Sequence, residues 1–157
     1  MYRKVFLFVL AFSFIAANVT FAGTVIEVEI ANGNDSVEDQ LASGMYLGSS
    51  DLEFPSDGGL QVIGLRYLNV ELPRGANIIE AYIVVQVDEV EGDEPVHLIV
   101  DGELVPDAAP FENVDYNVRD RARTSAKVEW DPEHYPTAGE KHQSSDISAV
   151  IQEIVNQ

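Results

Sequence analysis

The stretch that most constrains the fold is Gln61 to Val90, QVIGLRYLNVELPRGANIIEAYIVVQVDEV. It reads as two long strands joined by a tight turn. In the second arm Ile79, Ala81, Ile83, Val85 and Val87 share one face at period two, with Glu80, Gln86 and Asp88 opposite. That alternation marks a strand with one face against a core. Between the arms, Leu72-Pro73-Arg74-Gly75 predicts a type I turn with proline at its second position. In the first arm Ile63, Leu65 and Tyr67 share one phase, and Leu68, Val70 and Leu72 share the other. The flip near Tyr67 predicts a β-bulge or a strand whose sheet pairing ends there. Tyr82 and Val84 are apolar on the nominally outer face, so that face is partly covered, by a neighbouring loop or by the terminal helix.

The chain has 157 residues, enough for one domain with a real core. Its first 22 residues look like a secretory signal peptide. Arg3 and Lys4 precede an apolar run of 13 residues, Val5 to Ala17, and Thr20-Phe21-Ala22 offers small residues at −3 and −1 of a cleavage site. The run is short of the ~20 residues a membrane span needs. The expected organisation is a signal peptide over 1–22 and a single β-sandwich domain over 23–157, secreted to the extracellular space or the cell surface. Removing Arg3 and Lys4 would take the formal charge from −18 to −20. A surface so acidic repels nucleic acid and anionic lipid, which argues against both as partners. It supplies oxygen ligands suited to calcium. With no cysteine there is no disulfide, no thiol catalysis and no thiolate metal site.

Taken in order, Gly23 to Ala31 is a strand with Ile26, Val28 and Ile30 inward and an acidic outer face. Asn32-Gly33-Asn34-Asp35 ends it as a turn. Ser36 to Ser50 reads as a long polar loop with one short strand, and Ser49 to Phe54 as a further short strand. Glu91 to Pro95 is a turn, and Val96, Leu98 and Val100 alternate into the next strand. Pro106 to Arg123 has no clean period and reads as a long connection. Thr124 to Trp130 is a strand with Ala126, Val128 and Trp130 inward, and Glu133 to Ser144 is polar loop. The period then changes: Ile147, Val150, Ile151 and Ile154 make an amphipathic helix over Asp146 to Asn156, with Ser145 or Asp146 as its cap.

These residues resemble extracellular β-sandwich modules of the DNRLRE type, which are related in form to carbohydrate-binding modules. The resemblance is carried by Leu65-Arg66-Tyr67, Pro73-Arg74-Gly75-Ala76, Val128-Glu129-Trp130 and Asp146-Ile147-Ser148 followed by Ile151, in that order. It runs from about Asp35 to the C-terminus. It implies an all-β fold: an antiparallel jelly-roll-like β-sandwich with one short C-terminal helix, on secreted bacterial proteins some of which bind polysaccharide. The family continues past the helix with one or two more strands, whereas this sequence stops at Gln157. Either the sequence is truncated or a partner chain supplies a strand, and an unpaired edge would be a template for that association.

Candidate ligand-binding residues are Trp130, His134 and Tyr135, as an aromatic platform for sugar rings, and Arg66 in mid-strand. The inward phase of Trp130 gives it a second reading as a core residue, and Arg66 has one as an ion-pair partner. Candidate calcium ligands are Asp35, Asp39, Asp51 and Glu53, with Glu38 beside them, although no EF-hand spacing is present. His97, His134 and His142 lack zinc-site spacing, and no GxSxG elbow occurs. The expected function is a non-catalytic, secreted carbohydrate-binding module, with calcium as a structural ion. The alternative is a structural subunit of a surface layer or fibre, completed by strand exchange with a partner or a second copy.

Overall fold

The structure is a computed structural model that describes residues 23–30, 32–56, 58–90 and 95–157, and the backbone of 6–11. Its strands are β1 (Phe6–Ala11), β2 (Thr24–Glu29), β3 (Ser36–Gln40), β4 (Gly44–Leu47), β5 (Gln61–Leu65), β6 (Ile78–Gln86), β7 (Leu98–Val100), β8 (Val128–Trp130) and β9 (Lys141–Gln143). Among the described residues there is one α-helix, α1 (Ser148–Val155), and a 3-10 turn at Gly33–Asp35. The strands form three small antiparallel sheets, ordered β2-β1-β6-β9, β4-β3-β5 and β7-β8.

The central stretch is not a paired hairpin. β5 belongs to the sheet of β3 and β4, and β6 to the sheet of β1 and β9. Residues 66–77 carry the chain from one sheet to the other. The phase flip at Tyr67 marks where β5 stops pairing, after Leu65. The turn also differs from expectation. Ala76 N–H donates to the Pro73 carbonyl at 2.9 Å, and Gly75 has φ +74. Proline therefore sits at the first position and glycine at the third, where a type II turn requires positive φ.

In β6 the alternation holds from Ala81 onward and slips before it. Leu10 pairs with Glu80 but Ala11 with Ile78, which makes Ile79 an extra, bulged residue. Ile79 is 44 % exposed, and Ile78 takes the buried place instead. Val84 is buried on the nominally outer face, as its apolar character requires.

The core joins Ile30, Ile78, Ala81, Ile83, Ile147 and Val150, with Leu65, Tyr67, Val100 and Val128 against it. α1 docks by hydrogen bonds as well as burial. Ala81 N–H donates to Asp146 Oδ1 at 3.1 Å, which also accepts from Ser148 N–H at 2.9 Å. Ile78 N–H donates to Gln152 Oε1 at 2.9 Å. Neither expected residue holds the N-cap position, which is Ile147 and has no capping side chain; Asp146, one residue earlier, ties the helix start to the strand it covers.

Three further expectations are corrected. The polar segment from Ser36 contains a hairpin of two strands, β3 and β4. Ser49 to Phe54 is not a strand, although Leu52 is buried. Lys141–Gln143, read as loop, is an edge strand on β6. The signal-peptide reading covers 1–22, of which 1–5 and 12–22, including the cleavage site, lie outside the described residues. Phe6–Ala11 pairs on both sides, with β2 and β6. Residues 91–94 of the expected turn also lie outside the described residues.

Candidate functional site

Strand β3 puts three consecutive side chains out of solvent: Val37, Glu38 and Asp39. Asp39 is fully buried, and a buried carboxylate is tolerable only when paired and hydrogen-bonded. Its partner is 80 residues away: Arg119 Nε donates to Asp39 Oδ1 at 2.9 Å, and Arg119 N–H donates to Oδ2 at 3.3 Å. This bond raises the guanidinium's pKa further. Glu38 Oε1 accepts from Glu53 N–H at 3.0 Å and from Gln61 Nε2 at 3.1 Å. Asp35 pairs with Arg66 Nη1 at 2.7 Å, and Arg66 Nε donates to the Ala108 carbonyl at 2.7 Å.

Four arginines thus pin the irregular segment 106–123. Arg121 is the most connected: its five N–H donors reach Glu103, the carbonyls of Ala109, Pro110 and Asn117, and Asn117 Oδ1. Its guanidinium lies 4.6 Å from the centroid of the Phe111 ring, and Phe111 closes on Gly64 of β5. A Cβ at Gly64 would stand 2.8 Å from Phe111, so only glycine allows this approach. Arg123 bonds Asp101 and the Val118 carbonyl. Sequence reasoning anticipated an ion pair for Arg66 but missed the other three arginines. Their signal is Arg119, Arg121 and Arg123 at spacing two, a third of the 9 basic residues of a strongly acidic chain.

Between β5, the β7–β8 sheet and α1 lies a cavity of about 1230 Å³. Apolar core side chains such as Leu65, Val100 and Ile154 make much of its wall, and Arg66, Trp130, Gln61 and Tyr67 also line it. Two polar atoms on these residues, Gln61 Oε1 and the Tyr67 hydroxyl, are buried with no hydrogen-bond partner. Burial pushes the Tyr67 phenol well above its ordinary pKa. His97, at the same cavity, is held by Asp131, whose hydrogen bond raises the imidazole pKa.

The structure divides the residues singled out from sequence. Arg66 and Trp130 line the cavity; Trp130 is buried, edge-on to Phe54 at 6.3 Å. Tyr135 stacks on His142 of β9 at 3.7 Å and its hydroxyl is in side-chain hydrogen-bond contact with Trp130, whereas neighbouring His134 is exposed. The platform of Trp130, His134 and Tyr135 is therefore assembled in part: Trp130 and Tyr135 meet, with the tryptophan ring turned into the interior, and His134 stays exposed. Of the four candidate calcium ligands, Asp35 and Asp39 each face an arginine, Asp51 accepts from the Ser50 hydroxyl at 2.8 Å, and Glu53 lies beside Glu38. Among the described residues, no group of three or more His, Asp or Glu side chains is placed to hold a metal ion. No described helix is long and apolar enough to cross a membrane. Comparison with known proteins returns no family model, no curated protein and no solved structure that matches the chain.

Proposed function

We propose that this chain is a secreted, non-catalytic β-sandwich module that binds carbohydrate in the cavity between β5, the β7–β8 sheet and α1. One feature carries the reading: a cavity of about 1230 Å³ whose lining residues include an unpartnered hydroxyl, Tyr67, and an unpartnered amide oxygen, Gln61. Ligand sites are concave and mostly apolar, with a few placed polar groups that fix orientation. Both atoms are closed off from water as the cavity stands, so a hydroxyl-rich ligand would have to press into the wall to offer a donor to Gln61 and an acceptor to Tyr67. Trp130 adds an aromatic wall and Arg66 a cation already steadied by Asp35.

Affinity electrophoresis on polysaccharide gels, with and without calcium, tests the reading. Retention on at least one polysaccharide is expected. Tyr67→Phe should weaken that retention while leaving the thermal midpoint equal or higher, because it deletes a buried hydroxyl with no partner. No retention on any polysaccharide would overturn the proposal.

A second reading, a structural subunit completed by a strand from another chain, is favoured by a separate observation. The strand that joins β2 to β6 comes from the segment that reads as a leader. Size-exclusion chromatography of the exported chain tests it, and an isolated monomer that takes up no strand would refute it.

A further inference from the structure

β6 has two edges, and they are satisfied by different parts of the chain. On one edge, β9 pairs with Val84, Val85 and Gln86. The N–H groups of Ile83, Ala81 and Ile78 then donate to Ser144 Oγ, Asp146 Oδ1 and Gln152 Oε1. Successive backbone groups of a strand point to opposite edges, so those of Glu80, Tyr82 and Val84 serve the other side. There the neighbour is β1. β2, in turn, is paired with β1 alone among the described strands.

We propose that removal of the leader opens the place between β2 and β6 as an acceptor site for a strand from a partner protein. This rests on the assembly reading above and on cleavage after Ala22. β2 and β6 are both antiparallel to β1, hence parallel to each other, and one strand fits between them in a single direction.

The register specifies the occupant. The positions now held by residues 7 and 9 lie between Val28 and Ile83 and between Ile26 and Ala81. Cross-strand partners share a face, so these two positions require apolar side chains. The positions of residues 6, 8 and 10 lie between Glu29 and Val84, Glu27 and Tyr82, and Val25 and Glu80. Each has a carboxylate on one flank and an apolar side chain on the other, which suits a lysine or arginine whose stem packs and whose head pairs. The fitting occupant is a basic–apolar alternating strand of about six residues, given β1's own length. A second processed copy of this chain is disfavoured, since without Arg3 and Lys4 each carries a formal charge of −20, which sets like against like.

The test uses the chain recovered after export, beginning at Gly23, and the unprocessed chain. The probes are the synthetic peptide Lys-Val-Lys-Val-Lys-Val and two controls, Glu-Val-Glu-Val-Glu-Val and Lys-Asp-Lys-Asp-Lys-Val. The processed chain should bind the first peptide one to one, melt several degrees higher with it, and gain hydrogen-exchange protection at Glu80, Tyr82 and Val84. The unprocessed chain and both control peptides should give none of these. Three results would overturn the proposal: equal binding by the unprocessed chain, self-insertion into dimers, or full protection of those amides without peptide, which would mean that β2 closes the gap. Binding with protection elsewhere would refute this site and leave the assembly reading standing. A processed monomer that takes up neither the peptide nor any partner strand would refute both.

Discussion

The half of the molecule around β6 and α1 is held together by different physics from the half around β3 and the segment 106–123. In the first, Ile78, Ala81, Ile83, Ile147 and Val150 bury apolar surface against one another. In the second, Asp35, Glu38 and Asp39 are buried, and arginines or backbone donors satisfy them. Apolar burial is non-directional and loses stability in proportion to what is removed. A buried charge pair is nearly all-or-none: intact it contributes little net, but with one partner gone it leaves an uncompensated charge. The charged half should therefore be the brittle one.

The sharpest way to break that contrast is Arg119→Met. Asp39 is fully buried, and losing its partner should cost about 3–5 kcal/mol in denaturant unfolding. The double variant Asp39→Leu with Arg119→Met should recover most of that loss. If it does not, the pair contributes attraction of its own and the contrast weakens. Ile147→Ala probes the other half. Ile147 is buried beneath the helix start, and truncation should cost about 2–5 kcal/mol, with no single partner change able to restore it. The smallest effect is a pH dependence. Glu153 of α1 accepts from Ser125 and Ala126 N–H at 2.8 Å each, and these bonds hold its carboxyl pKa below the ordinary 4.5. A depressed folded value gives stability that is present above pH 4.5 and lost as pH falls through the folded pKa. Melting curves of wild type and Glu153→Gln should differ at pH 7 and converge on acidification. A constant gap would mean that the carboxylate charge contributes nothing.

The same contrast explains what the sequence disclosed. Strand β2 and the helix announced themselves through period, because one face of each meets the core and the other meets water; the later part of β6 kept enough of that alternation to be read although Val84 on its second face is buried too. β3 did not, because Ser-Val-Glu-Asp-Gln looks solvated. Its burial depends on Arg119 and Gln61, one of them 80 residues distant, and no local pattern encodes such a partner. The apparent hairpin failed for a related reason. Its turn chemistry is real, yet the arms join different sheets, and pairing is decided by neighbours outside the stretch. At the candidate site, Arg66 and Trp130 were legible as residue types, but their convergence with Tyr67 and Gln61 on one cavity depends on how the sheets and helix close around it.

The Arg121 hub carries a consequence for digestion. Trypsin cleaves after arginine and needs the flanking backbone drawn out into its groove. Here Arg119, Arg121 and Arg123 point their heads into the fold, and Arg121 holds the carbonyls of Ala109, Pro110 and Asn117. A stretch without regular secondary structure should therefore resist nicking as a strand would, and survive until the whole domain opens.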